Sequence, residues 1–212
     1  MSSDTPSHVL RTMDDVEMIV YNYFKAQLHQ KDLRWIPRKY NDTWNDIVDE
    51  RLKRVVSTLN ELSDELRSNG ASFREMKSKT ELVISALERQ NGSIQDQSGY
   101  NAFACIAEHL FGEGIRWNHV LTLFVFTTEL AHDFYLTRDD ITTIDTVADW
   151  LVNYVTSRLS NWIRSNRGWD GLIDYYNQSN IASPCSTRSL WHTAVVIGGI
   201  LAFSFYHFAY KH

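Results

Sequence analysis

Apolar side chains recur every three or four residues along most of the chain, the spacing that places them on one face of an α-helix. Stretches such as Asn69-Gly70 and Asn91-Gly92 separate the periodic segments. The pattern predicts helices over residues 13–30, 47–68, 73–90, 100–111 and 141–159, and one or two short helices between residues 162 and 176. Because no segment alternates convincingly between apolar and polar positions, the predicted fold class is all-α.

The segment from Val120 to Phe134 departs from this one-sided pattern, because apolar side chains surround its first two turns. A helix that is apolar on every side lies either in a large protein core or in a membrane. Polar residues interrupt the run after about ten positions, whereas a membrane span requires about 20. A short apolar run is also compatible with a buried strand, but Leu130 and Ala131 continue it at helical spacing. We therefore predict a central core helix that other helices surround.

Residues 190–210 contain no Asp, Glu, Lys or Arg, and Arg188 and Lys211 flank them. This length corresponds to a single membrane span, and aromatic residues such as Trp191 suit its interfacial ends. The alternative is a buried amphipathic helix, since two histidines and a serine reduce the hydropathy. The predicted organisation is a flexible N-terminus (1–12), a helical bundle (13–177), a polar linker (178–189) and a C-terminal transmembrane tail anchor (190–210).

Composition and charge exclude several function classes. The net charge of -5 argues against a general nucleic-acid binder, which would carry a basic stripe. The two cysteines, Cys105 and Cys185, lie far apart and form no CxxC pattern, so free thiols in a reducing compartment are expected. The polar, acidic N-terminus does not have the pattern of a secretory signal.

An enzyme is the competing class, because the chain has eight histidines. It nevertheless contains no HExxH, GxSxG, GxGxxG or phosphate-loop motif. Glu129, His132 and Asp133 lie close in sequence, and helical spacing lets Glu129 share a face with the other two. Without a third ligand or base, a surface ion pair is the better interpretation. We therefore expect no catalytic residue, metal or cofactor; a plain helical scaffold is a third alternative.

Four segments, in order along the chain, resemble the homology regions of the Bcl-2 family of apoptosis regulators. VYNYFKAQLHQKDLRW at residues 20–35 resembles the fourth, N-terminal region. LNELSDEL at residues 59–66 resembles the third region, the short death motif, with Ser63 where glycine is usual. FGEGIRWNHV at residues 111–120 resembles the first region, and WIRSNRGWD at residues 162–170 the second. Four motifs in the family's order, followed by an apolar tail, form a specific signal.

The resemblance implies a helical bundle around a central hairpin of about residues 117–135 and 141–159. It also implies a hydrophobic groove that receives the amphipathic death-motif helix of a partner. Matching the motif positions places the following residues at this groove: Leu66, Phe73, Tyr100, Phe103, Leu110, Arg116, Asn118, His119, Thr122 and Phe126. The chain's own death motif comprises Val55, Leu59, Leu62, Asp64 and Leu66.

The same resemblance gives structural roles to Trp117, Trp162, Gly168, Trp169 and Asp170. A glycine before a tryptophan in a turn between helices suits a residue with positive φ beside an aromatic plug. Asp170 is placed to cap the final short helix.

The family contains pro-survival members, which sequester death motifs, and effectors such as Bax and Bak, which oligomerise and permeabilise the outer mitochondrial membrane. The fourth region and residues 144–155 resemble the pro-survival members, whereas residues 64–69 and 168–172 resemble Bax. We predict a pro-survival regulator, with a Bax-like effector as the alternative. The implied partners are death-motif proteins of the same family, with a homo-oligomer as a further option, and an intracellular membrane contacted through the tail. The expected location is the cytosolic face of the outer mitochondrial membrane; the endoplasmic reticulum and the cytosol are alternatives.

The first homology region departs from its family in one respect that concerns ligand binding. Most members have Asn-Trp-Gly-Arg there, and the arginine pairs with the ligand's aspartate; this chain has Arg116-Trp117-Asn118-His119. Histidine is only partly charged at pH 7 and lacks the bidentate guanidinium. We predict that Arg116, three residues earlier, supplies the charge partner and that His119 makes a weaker, pH-sensitive contact. Asn118, in place of glycine, should narrow the range of ligands.

Overall fold

The computed structural model describes residues 6–39, 49–68 and 97–181, together with residues 73–74, 77–78, 80–81 and 84. The predicted tail anchor over residues 190–210 and most of the predicted linker lie outside these ranges. Within the described part of the chain, no helix combines the length and the hydropathy that a membrane crossing needs.

The described residues are helical or irregular and include no strand, which confirms the all-α class. The helices are α1 (Pro6–His29), α2 (Glu50–Ser68), α3 (Gln97–Leu110), α4 (Trp117–Arg138), α5 (Thr142–Tyr154), a π-helical turn (Val155–Leu159), α6 (Ser160–Ser165) and α7 (Asp170–Ile181). Residues 6–12, expected to be flexible, belong to α1, and α7 continues four residues into the predicted linker. Of the helix predicted over 73–90, only a few residues are described, and these are helical.

Helix α4 is the central helix that its apolar run predicts. Its side chains are buried around the whole circumference, and Val120, Leu123, Phe124 and Val125 have no exposed surface. The helix ends at Arg138, and the following residue, Asp139, caps it with φ 52° and donates its backbone N–H to the Tyr135 carbonyl at 2.8 Å. The chain then reverses into α5, so that α4 and α5 form the predicted central hairpin.

The remaining helices cover this hairpin by their apolar faces. Helix α1 packs against α2, α4 and α5, whereas α2 packs against α1, α4 and α7. Helix α3 contacts both arms of the hairpin. The edge-to-face contact between Tyr23 of α1 and Phe124 of α4, with ring centroids 5.4 Å apart, lies at the centre of this core.

An aromatic cluster holds the C-terminal helices against the start of α4. The Trp117 ring centroid lies 5.0 Å from that of Trp162 and 6.1 Å from that of Trp169. Gly168 has φ 62°, which a glycine adopts without a Cβ clash, and this turn directs the buried Trp169 inward. Asp170 is the first residue of α7, so it does not occupy the preceding cap position that the sequence suggested.

Candidate partner-binding surface

The apolar side chains of the death motif form the inward face of α2. Four of them are at most 2% exposed: Val55, Leu59, Leu62 and Leu66. Asp64 points outward with a 55% exposed side chain, and it accepts a hydrogen bond from Arg67 Nη1 at 3.3 Å. In this structure the apolar part of the motif therefore belongs to the chain's own core, and its acidic residue is at the surface.

Ser63, which replaces the usual glycine of the death motif, connects α2 to α1. It is fully buried, and its hydroxyl donates to the Leu59 carbonyl at 2.6 Å. Its Oγ also lies 2.8 Å from the Tyr23 hydroxyl, which is therefore the donor of that pair. Burial raises the pKa of Tyr23 to about 12, although the bond to Ser63 opposes the shift. The serine thus adds a buried polar contact between the two helices.

The residues predicted for the groove, apart from Arg116, Asn118 and His119, are distributed over α2, α3, α4 and the segment that follows α2. Phe103 has no exposed surface, and Leu66, Leu110 and Phe126 are also buried. The others of this group, Phe73, Tyr100 and Thr122, are partly exposed. The four buried residues therefore belong to the core of the bundle, and Phe73 and Tyr100 pack against it.

Sequence reasoning did not assign three aromatic residues to this region. The Phe103 ring centroid lies 5.9 Å from that of Trp150 and 6.0 Å from that of Tyr154, both on α5. Phe111 stacks on Tyr154 at 6.1 Å. Trp150 and Tyr154 are four residues apart and so share one helical face, which is the signal that could have identified them.

His119 is an internal residue, 2% exposed, beneath Phe111. Its Nδ1 lies 3.0 Å from the Gly114 carbonyl, which can only accept, so Nδ1 carries the proton. Burial lowers the pKa of His119, and the nearby Arg116 charge lowers it further. The lowered pKa favours the neutral ring at pH 7, whereas the sequence predicted a partly charged, pH-sensitive contact. The adjacent Asn118 is also buried and accepts from the His119 backbone N–H at 3.0 Å.

Arg116 is the residue immediately before α4, with an extended backbone (φ -143°, ψ 157°). It thus precedes the first helical turn, three residues before His119. Its side chain is exposed and makes no ion pair or hydrogen bond with the residues that the structure describes. Among the described residues, no carboxylate pairs with the Arg116 guanidinium, which is exposed to solvent.

Glu129 is fully buried, which contradicts its interpretation as part of a surface ion pair. Its Oε2 lies 2.8 Å from Lys31 Nζ and 3.6 Å from Lys77 Nζ, and its Oε1 lies 3.2 Å from Arg67 Nη2. We call these four residues the Glu129 cluster. Its cations come from the chain after α1, from the last turn of α2 and from the segment that follows α2. No local sequence pattern therefore predicts the cluster.

Asp133, one turn after Glu129, extends this polar region. It lies 3.2 Å from Lys77 Nζ and accepts from the Thr80 hydroxyl at 2.7 Å. Burial raises the pKa of Asp133, but the contacts with His132, Thr80 and Lys77 together outweigh it, so the net shift is downward. Burial lowers the pKa of Lys77, but its two carboxylate partners give it a net upward shift. Both groups therefore remain charged at neutral pH.

The fourth-region segment is held against α5 by buried side chains. Trp35 is 3% exposed, and its indole Nε1 donates to Asp145 Oδ1 at 3.2 Å. The backbone N–H of Arg38 donates to the same oxygen at 3.3 Å. One helical turn further along α5, Asp149 accepts a hydrogen bond from the Tyr21 hydroxyl. These bonds join the two parts of the sequence that resemble pro-survival proteins.

Comparison with known proteins identifies the family. A family model described as apoptosis regulator proteins, Bcl-2 family, matches residues 35–169, more than half of the chain. The chain belongs to the Bcl-2 family. Proteins of this family are regulators and not enzymes. The matched region runs from Trp35 to Trp169 and therefore includes the death motif, the central hairpin and the aromatic cluster.

Curated relatives that are named as apoptosis regulators, Bcl-2 and BAX among them, resemble the chain. It is 31% identical over 112 residues to apoptosis regulator R1 of Xenopus laevis, covering 49% of each protein. It is 28% identical over 82 residues to Bcl-2 of Gallus gallus, covering 39% of this chain and 35% of that protein. It is 25% identical over 158 residues to human BAX, covering 74% of this chain and 69% of BAX. The chain therefore spans half or less of the first two relatives and about two thirds of BAX.

Solved structures show the same fold. Trichoplax adhaerens trBcl-2L2 bound to trBak BH3 superposes with a TM-score of 0.58 and 25% identity, covering 78% of this chain and 99% of that one. Chicken BOK superposes with a TM-score of 0.60 and 20% identity, covering 78% and 97%. The likeness to BOK concerns the fold alone.

Proposed function

We propose that this Bcl-2-family chain is a pro-survival regulator of apoptosis. It binds the amphipathic BH3 helix, or death motif, of a pro-apoptotic family member in a hydrophobic groove and thereby blocks permeabilisation of the outer mitochondrial membrane. Support for groove binding comes from the likeness to trBcl-2L2, whose structure contains a Bak BH3. In this binding mode apolar residues spaced three and four apart fill pockets, and a charged residue of the receptor pairs with the ligand's aspartate.

The hydrogen bond between Trp35 and Asp145 is the observation that supports a pro-survival rather than an effector role. It joins the fourth region to α5, and the two segments it connects are those that resemble pro-survival members. Tyr21 and Lys39 make further contacts with Asp149 on the same helix. Because these contacts fix α1 against the hairpin, the bundle stays closed while a ligand occupies its surface. A stable closed bundle suits a protein that sequesters partners.

A Bax-like effector is the second candidate. The observation that favours it is the length of the match to BAX, which extends over 158 residues, compared with 82 for chicken Bcl-2. In this case the chain oligomerises and inserts its own death motif, residues 59–66, into the groove of a second copy. The buried state of Leu59 and Leu62 then represents a resting form that has to open.

A dye-release assay with liposomes of outer-mitochondrial-membrane composition separates the two candidates. The full chain is added alone, with an activating BH3 peptide, or together with activated Bax. A pro-survival regulator releases no dye by itself and suppresses release by Bax. Release by the chain after addition of the peptide, without suppression of Bax, contradicts the pro-survival proposal and favours the effector.

Arg116 is the proposed charge partner of the ligand's aspartate. We expect Arg116→Ala to weaken binding of a BH3 peptide by about 1–3 kcal/mol, because a charge-assisted hydrogen bond is lost. A peptide whose aspartate is replaced by alanine should show no such loss. Titration calorimetry at pH 6 and pH 8 provides the measurement. Because burial lowers the pKa of His119, the affinity of the wild-type chain should change less between the two pH values than an exposed histidine contact would make it change.

Arg164→Ala is a matched control, since Arg164 is also exposed but lies on α6. It should leave the affinity for both peptides unchanged. Equal binding of the intact peptide by wild type and Arg116→Ala contradicts the assignment of Arg116. The assignment of the groove itself is a separate question, which apolar substitutions such as Phe73→Ala address.

The apolar segment over residues 190–210 is the proposed membrane anchor, directing the chain to the outer mitochondrial membrane or the endoplasmic reticulum. A chain truncated after Asn180 should become largely cytosolic in cell fractionation, while its helical circular dichroism is retained. Equal fractionation of the truncated and full chains contradicts anchoring. Loss of helicity on truncation instead indicates that the segment packs on the bundle.

A further inference from the structure

The Glu129 cluster brings cations from three separate parts of the chain to one buried carboxylate. Glu129 is on the central helix α4 and has no exposed surface. Lys31 reaches it from the chain after α1, Arg67 from the last turn of α2, and Lys77 from the chain after α2. The side chains of Lys31 and Arg67 are 20% and 19% exposed, so both cations are largely withdrawn from water.

Arg67 connects this buried charge directly to the death motif. It follows Leu66, the last apolar residue of the motif, and its Nη1 lies 3.3 Å from Asp64. Its Nε and Nη2 face Glu129 Oε1 at 3.4 Å and 3.2 Å. The guanidinium thus contacts the exposed carboxylate of the motif and the buried carboxylate of the core. The pair with Asp64 lies within α2, whereas the contact with Glu129 ties the last turn of α2 to the central helix α4.

Buried charge makes this arrangement cooperative. A carboxylate without exposed surface is costly unless cations or hydrogen-bond donors compensate it. If α2 moved outward, Arg67 would leave, and Glu129 would retain only the two lysines. If the segment containing Lys77 moved as well, both Asp133 and Glu129 would lose the Lys77 ammonium group as a partner. Displacement of any one segment therefore weakens the electrostatic compensation that the others depend on.

We propose that Glu129 is the residue that holds the death motif inward. Its charge keeps the last two turns of α2 packed with Leu62 and Leu66 in the core, and neutralising it makes this part of α2 accessible to a binding partner before the bundle unfolds. The inference concerns the exposure of α2 and holds for either direction of activity. Failure of the groove proposal would leave it untouched, because its test involves no ligand.

Hydrogen exchange of the full chain, followed by mass spectrometry, tests the proposal with Glu129→Gln, which keeps the shape and removes the charge. We expect amides of residues 62–68 to exchange at least about tenfold faster, as for a local opening. Amides of α5 should exchange at the wild-type rate. Glu108→Gln is the matched control, because Glu108 is 58% exposed and pairs with Arg158 at 3.6 Å on the surface. It should change neither region.

A second substitution tests whether Arg67 and Glu129 act through the same contact. Arg67→Met alone should accelerate exchange of residues 62–68, but combining it with Glu129→Gln should add little, since each removes the same pairing. Glu129→Asp, which retains the charge, should restore much of the protection. Exchange that increases equally in α2 and α5, or that is unchanged in residues 62–68, overturns the proposal. If Glu129→Gln does not fold, the comparison of Arg67→Met with wild type decides by the same criteria.

Discussion

Leu59→Glu is expected to leave the bundle largely unfolded at 25 °C. Leu59 has no exposed surface, and its neighbours on the same face of α2, Val55 and Leu62, are buried as well. The substitution removes the packing of a core leucine, which costs about 2–5 kcal/mol. It also places a carboxylate where the neighbouring inward residues are apolar, adding several kcal/mol more. The sum approaches the whole stability of a typical domain, about 5–15 kcal/mol.

Urea denaturation followed by circular dichroism measures this effect. Asp64→Ala provides the control on the same helix, because Asp64 is exposed and its pair with Arg67 is a surface contact worth less than about 1 kcal/mol. A Leu59→Glu chain that keeps its helicity and its denaturation midpoint would show that Leu59 is not a core residue in solution. It would then favour the effector alternative, in which the motif faces a partner.

The helices were predictable because their signal is local. The three- and four-residue recurrence of apolar side chains fixes which face of a helix packs inward, and it identified the inward faces of α1, α2 and α5 correctly. The same reasoning recognised α4 as the central helix from apolar residues such as Val120 and Phe124 on all its sides. Helix ends were less accurate: α1 begins at Pro6 rather than near residue 13.

The Glu129 cluster could not be predicted, because its members are distant in sequence. Lys31 and Arg67 are 98 and 62 residues from Glu129. A sequence contains no sign that three distant segments converge on one position of a helix, so the local spacing rule indicated His132 and Asp133 as partners. The burial of Glu129 distinguishes this cluster from a surface ion pair, and that burial depends on how the helices pack around α4.

His119 was misinterpreted for a related reason. Aligning His119 with the usual groove arginine indicates only its position in the sequence motif. Whether the side chain is exposed depends on the turn that precedes α4. Gly114, with φ 105°, places its carbonyl oxygen 3.0 Å from the His119 ring. That bond and the Phe111 ring hold His119 inside. Arg116, one residue outside the helix, remained accessible, and this outcome strengthens its assignment as charge partner.

Gly171→Ala is expected to lower the thermal unfolding midpoint by roughly 10 °C, the shift produced by about 3 kcal/mol in a chain of this size. Gly171 is the second residue of α7 and packs where the turn after α6 crosses the aromatic cluster. A Cβ at this position would lie 2.0 Å from the Asn166 carbonyl oxygen and 3.1 Å from Trp117 Cζ2. Since the closest atom is backbone, relief requires the whole turn to shift, and overpacking of this kind is costly.

Gly168→Ala is the matched control, because Gly168 lies in the turn directly before α7, three residues from Gly171, and differs from it in conformation and surroundings. Gly168 has φ 62° but nothing within 4 Å of its Cβ position, so alanine there meets backbone strain alone, about 1 kcal/mol or a few degrees. Differential scanning calorimetry of both variants measures their unfolding midpoints and so compares the cost of a steric clash at residue 171 with the cost of backbone strain at residue 168. A larger loss for Gly168→Ala than for Gly171→Ala would contradict the close approach of Asn166. The sequence drew attention to Gly168 through its tryptophan neighbour, whereas the requirement at Gly171 follows from the packing of α7 against Trp117 and the preceding turn.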